Sequence, residues 1–120
     1  MVNWNELTEA KQLEELTKES HQHPILIFKH STSCSISRTA LSRFERNWDE
    51  NEMKEVKPYF LDLLSYRKIS NSVSGQFSVD HESPQILLIK NGESIYDRSH
   101  LDIDYKNFKS ELTVLASAKN

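Results

Sequence analysis

Apolar residues return along this chain in two rhythms, one helical and one of short unbroken runs. From Glu6 to Glu19, Leu7, Ala10, Leu13 and Leu16 recur every third residue among Lys, Gln and Glu, which predicts an amphipathic helix. Pro24–Phe28 is continuously apolar, the mark of a strand buried on both faces. Ile36, Ala40, Leu41, Phe44 and Trp48 restore helical spacing. Pro58–Leu64 reads as a second buried strand, and Ile69, Val73 and Phe77 predict a helix from about Tyr66 to Phe77. Pro84–Lys90 and Glu93–Arg98 read as strands around Asn91-Gly92, a type I′ hairpin signal. Tyr105, Phe108, Leu112 and Leu115 place a last helix at the end of the chain. Val2–Trp4 reads as a short edge strand, and the charged stretch Asp49–Lys57 as a loop.

The order is therefore β-α-β-α-β-α-β-β-α. Strands separated by helices are expected to run parallel through right-handed crossovers, the closing hairpin adding one antiparallel strand. The product is an α/β domain with a mixed central sheet and helices on both faces. With 120 residues there is room for one such domain, spanning 1–120.

Charge and composition narrow the function. Fifteen Lys and Arg against 18 Asp and Glu leave a net charge of −3, which argues against nucleic acid as a partner. No apolar run approaches the roughly 20 residues that cross a bilayer, and the first residues carry no secretory signal. A single cysteine excludes an internal disulfide and a four-cysteine zinc site, and fits a cytoplasmic setting with no bound metal. Trp4 and Trp48 read as core, Asp62 as a strand-end residue, and His81 and His100 as loop residues without a metal-ligand spacing.

That cysteine, Cys34, falls where a buried strand gives way to a helix, after His30-Ser31-Thr32-Ser33. Unpaired backbone N–H groups and the helix dipole favour negative charge there, so a thiolate is stabilised and made nucleophilic. Ser37 follows three residues on, one helical turn away, where its hydroxyl is expected to donate to the sulfur. Lys29 and His30 lie just upstream. The alternative is a buried structural thiol, but Cys34 has serine on both sides rather than aliphatic residues. Far downstream, Pro84 precedes a buried strand, as a residue lacking an N–H should.

A reactive cysteine at a strand-to-helix junction and a distant proline leading into Leu87-Leu88-Ile89-Lys90-Asn91-Gly92-Glu93 resemble the thioredoxin superfamily, where that proline is cis and faces the sulfur. More narrowly, the chain resembles the YtxJ family, the monothiol bacilliredoxins of bacillithiol-using bacteria. The resemblance rests on Phe28–Ser37, Tyr59–Ser70 and His81–Gln85, and it spans nearly the whole chain. It implies a thioredoxin-like fold and a monothiol thiol–disulfide oxidoreductase that removes bacillithiol from S-bacillithiolated cytosolic proteins through Cys34. Bacillithiol is then a co-substrate with no cofactor bound, and a bacillithiol disulfide reductase is an expected partner. Ser37 stands where dithiol relatives carry a resolving cysteine, and Phe28 where thioredoxins carry a buried acid. Bacillithiol bears a malate with two carboxylates, which makes Lys29, Arg38 and Arg67 candidate contacts. Thr32, Ser83 and Pro84 complete the expected substrate groove, with the backbone at Ser83 pairing an extended substrate. Two other readings compete: a monothiol iron–sulfur carrier, although its Cys-Gly-Phe-Ser loop is replaced by Cys34-Ser35-Ile36-Ser37, and a redox-inert peptide-binding module.

Overall fold

The computed structural model describes residues 2–118. Its elements are β1 (Asn5–Glu6), α1 (Ala10–Glu19), β2 (Ile25–His30), α2 (Ser35–Asn47), β3 (Lys57–Asp62), α3 (Arg67–Phe77), β4 (Gln85–Lys90), β5 (Glu93–Ser99), a 3₁₀ turn (His100–Asp102) and α4 (Tyr105–Ala118). The five strands form one sheet in the order β1-β3-β2-β4-β5. β1, β2 and β3 are parallel, with Phe28 opposite Phe60 and His30 opposite Asp62.

β4 runs antiparallel to β2, which corrects the expectation that every helix-linked strand is parallel. The reason lies in the link after α3. β3 leaves the sheet at Asp62, beside His30, and the segment 78–84 brings the chain back to that same end, where Gln85 pairs with Lys29. A chain that leaves and re-enters at one pole must reverse direction. β5 then completes a hairpin with β4 across Asn91 and Gly92, whose φ values of 54° and 78° are those a type I′ turn requires.

Alternation along β2 and β4 splits the core in two. Leu26, Phe28, Ile86 and Leu88 face Ala40 and Phe44 of α2 and Phe108 of α4. Ile25, Ile27, Leu87 and Ile89 face Leu13 and Leu16 of α1 and Val73 and Phe77 of α3. The first layer is aromatic: Phe44 has Phe28, Trp48, Tyr105 and Phe108 within 6.0 Å between ring centroids. Trp48 is buried and Trp4 packs against this cluster, as expected.

Three boundaries move. β1 lies at Asn5–Glu6 rather than Val2–Trp4, because the parallel pairing with β3 falls at Tyr59 and Phe60. α1 starts at Ala10; Leu7 is buried but belongs to the extended entry, and its N–H bonds the Phe60 carbonyl. Ala10 is exposed, so the apparent repeat from Leu7 joined two different conformations. β2 continues past Phe28 through Lys29 and His30, both buried despite their polarity.

Candidate active site

Cys34 is the N-cap of α2, with φ −107° and ψ 121°. A short turn, in which its N–H bonds the Ser31 carbonyl at 3.2 Å, delivers it from β2. The helix then begins, with the Arg38 N–H bonded to the Cys34 carbonyl. An N-cap side chain is the natural acceptor for the unpaired N–H groups of the first turn, here those of Ile36 and Ser37. Cys34 Sγ makes no capping hydrogen bond in the thiol form, and the residue is half-buried. A thiolate at this position has both the donors and the dipole to stabilise it, and it remains open to attack a disulfide.

Ala40 and Phe44 of α2 and its C-cap Trp48 are buried and Leu41 packs against them, as the apolar spacing indicates, but the first turn departs from it. Ile36 is 44% exposed, whereas Ser37 is completely buried with Ala40 and Phe44. Turning inward, Ser37 Oγ accepts the Ser31 N–H at 3.0 Å and lies 2.7 Å from His30 Nδ1. The expected hydrogen bond from Ser37 to the sulfur is therefore not made. Burial pushes the His30 imidazole below its ordinary range, and the opposing pull of Asp62 recovers only part of this.

The Ser83–Pro84 peptide is cis and leads into β4 beside the end of β2. The Pro84 carbonyl accepts the His100 N–H at 2.9 Å, and His100 Nε2 lies 3.3 Å from Glu82, so the 3₁₀ turn clasps this loop. Ser83 Oγ is buried with no hydrogen-bond partner among the described residues.

The basic residues separate. Lys29 is fully buried, and its Nζ reaches Ser74 Oγ at 3.0 Å and His81 Nδ1 at 3.3 Å, on the sheet face that carries α1 and α3. Burial pushes its pKa down to about 8. It braces the loop at His81 and cannot reach an anion arriving from solvent, which corrects its expected role as a substrate contact. Arg38 and Arg67 are exposed, Arg38 donating to the Thr32 carbonyl at 3.0 Å. Asp62 sits at the end of β3 and accepts from the Ser65 hydroxyl at 3.1 Å.

The sequence marks His30 only as a residue just upstream of the thiol and His81 only as a loop residue. Both are tied to polar residues of neighbouring elements, through contacts spanning 7 and 52 positions, and no local spacing reports the second.

Exposed apolar side chains gather at this pole: Ile36 beside the thiol, Leu64 and Tyr66 after β3, and Leu101 in the 3₁₀ turn. Two cavities, of about 770 and 570 Å³, are lined by residues near the opposite ends of β2 and β3, including Pro24, Val56 and Pro58.

A lone N-cap thiol next to a cis-proline loop, on this sheet, defines a thiol oxidoreductase of the thioredoxin fold. Solved structures agree on that fold. The chain is similar to a thioredoxin-fold protein described as a candidate oxidoreductase (28% identity, 88% of this chain and 89% of that one, TM-score 0.74). It is also similar to the thioredoxin Mala s 13 of Malassezia sympodialis (18%, 94% and 90%, TM-score 0.73) and to that of Trypanosoma brucei brucei (11%, 96% and 92%, TM-score 0.74). The family is narrower than the fold: residues 5–108 match the model of the monothiol bacilliredoxin BrxC, and the chain belongs to that family.

Proposed function

We propose that this protein removes bacillithiol from S-bacillithiolated proteins in a reducing cytoplasm. The observation that carries the reading is the pairing of an accessible N-cap thiol at Cys34 with serine, not cysteine, at position 37. The Cys34 thiolate attacks the bacillithiol sulfur of the mixed disulfide. The S–S bond breaks, the target cysteine leaves as a thiolate that takes a proton from solvent, and bacillithiol stays on Cys34. With no second thiol in the chain, this adduct waits for an external one. Free bacillithiol attacks it, restoring Cys34 and releasing bacillithiol disulfide, which a bacillithiol disulfide reductase returns to the thiol.

Several features support a protein substrate. The thiol lies on an exposed rim rather than in either of the two cavities, and Ile36, Leu64, Tyr66 and Leu101 offer apolar area around it. The backbone before Pro84, at the entry to β4, pairs with an extended segment of the substrate in this reading. Arg38 and Arg67 remain the cations available for the malate carboxylates.

Intact-mass spectrometry after exposure to oxidised bacillithiol tests the mechanism. Wild type should gain one bacillithiol and Cys34→Ser none. Ser37→Cys should expel the adduct and finish two hydrogens lighter, since positions 34 and 37 are neighbours across one helical turn. A folded wild-type protein with a free thiol that takes up no bacillithiol refutes the proposal and leaves a redox-inert binding module.

A further inference from the structure

We propose that His81 is a specificity residue: its Nε2–H donates to a carboxylate of the disulfide that Cys34 attacks, and buried Lys29 holds the ring for that contact. This rests on the reading that Cys34 exchanges with bacillithiol-capped substrates, and it names where the malate of that group docks.

Lys29 Nζ lies 3.3 Å from His81 Nδ1 and 3.0 Å from Ser74 Oγ. With a pKa of about 8, Lys29 keeps its proton at neutral pH. An ammonium has donors and no lone pair, so His81 Nδ1 can only accept from it. The hydroxyl of Ser70, 3.5 Å from the same nitrogen, is a second and longer neighbour. Burial, Lys29 and Arg67 disfavour the imidazolium, and Glu82 opposes them only in part. A neutral ring with Nδ1 bare carries its one proton on Nε2. That nitrogen makes no hydrogen bond among the described residues, and His81 is exposed although Lys29 behind it is completely buried. The donor is fixed from inside the protein and unclaimed on the outside.

Charge favours a carboxylate as its acceptor. Lys29 has no carboxylate partner among the described residues and stands one imidazole behind the donor. A hydrogen bond accepted at Nδ1 polarises the ring and strengthens Nε2–H as a donor. Arg67, the first residue of α3, is a second cation, close enough for its charge to act on the ring. Glu82, the acid next to His81 in the chain, is engaged by His100 at 3.3 Å. A backbone carbonyl of the target protein is the competing acceptor, but it carries no net charge for these cations to neutralise. The place also fits. His81 lies three residues before cis Pro84, and the strand opened by that proline pairs Gln85 with Lys29, at the end of β2 that leads to Cys34. Gln85 Nε2 holds the Asp80 carbonyl at 3.0 Å, which anchors the loop on the other side of His81.

Titration of the His81 ring, followed by long-range ¹H–¹⁵N correlation, tests the supporting contact. At about pH 7 the wild-type ring should be neutral with its proton on Nε2, and Lys29→Met should raise its pKa because a neighbouring cation no longer opposes protonation. A proton on Nδ1, or a pKa that Lys29→Met leaves unmoved, overturns the proposal. The acceptor is tested with a pair of disulfides, that of bacillithiol and that of cysteinyl-glucosamine, which lacks the malate. Wild type should react faster with the first. His81→Asn keeps an acceptor for Lys29 and removes the outward donor. Losing a hydrogen bond to a charged acceptor should slow the reaction with bacillithiol disulfide about tenfold and leave the other within about twofold. Lys29→Met should shift the same ratio in the same direction. Equal slowing of both disulfides by His81→Asn would mean that the residue only shapes the loop, and would overturn the proposal, as would equal wild-type rates for the pair. The ring titration uses no disulfide and the second readout is a ratio, so either failure is distinct from an absence of bacillithiol uptake at Cys34.

Discussion

Lys29 offers a measurable consequence of burying a cation without a counter-ion. Its side chain is completely buried, its hydrogen bonds go to Ser74 and His81, and no carboxylate pairs with it among the described residues. Burial lowers its pKa from the ordinary 10.5 to about 8. Below pH 8 both folded and unfolded chains hold the proton, and the folded state carries the full penalty, about 3 kcal/mol. Between 8 and 10.5 the unfolded chain binds more protons than the folded one, so stability rises with pH through that window. Integrated from pH 7 to 9.5, the rise attributable to this residue is about 2 kcal/mol. Lys29→Met keeps an unbranched chain of similar reach and removes the titration. Its absolute stability reflects two opposing changes, relief of the buried charge and loss of the Ser74 and His81 partners. The difference between variant and wild type cancels the titrating groups that Lys29 does not touch, and His81, which it does touch, is held below the ordinary imidazole range and titrates below this series. Urea unfolding at pH 7, 8, 9 and 9.5 should show the variant's advantage shrinking by about 2 kcal/mol across the series. Parallel curves for the two proteins would refute the reasoning and mean that Lys29 is as well solvated as a surface lysine.

Phe44→Ala removes the ring at the centre of the aromatic layer and should cost about 3–5 kcal/mol in the same assay. Gly92→Ala should cost about 1–2 kcal/mol, because φ of 78° strains a residue with a Cβ while the nearest side-chain atom, His21 Nε2 at 3.5 Å, leaves room for it. Arg43→Ala should destabilise the protein by about 1 kcal/mol and raise amide exchange over 100–103, since the guanidinium donates to the Leu101 and Ile103 carbonyls. Replacing Arg38 and Arg67 together by Gln should slow exchange with oxidised bacillithiol while leaving iodoacetamide alkylation unchanged; equal slowing of both would place these residues on the thiol rather than on the anion.

The sequence by itself determined most of the elements and the place of the lone thiol. Apolar runs and helical spacing are local properties, and they mark α2, α3, β4 and β5 to within about a residue or two at most of their ends. Cys34 could be placed at the start of a helix because a strand signal and a helix signal meet there, and local electrostatics at a helix end depend on little else. The tertiary structure decided which way the polar residues face. Lys29, His30 and Ser37 carry no apolar signal, yet all three are buried, because neighbouring elements satisfy them: Ser74 and His81 for Lys29, and the His30–Ser37–Ser31 cluster around the thiol loop. It also decided the direction of β4, which depends on where segment 78–84 returns to the sheet. Hydrophobic periodicity records only which side chains avoid water. Whether a buried polar group finds a partner depends on residues that the fold brings together, and periodicity does not report them.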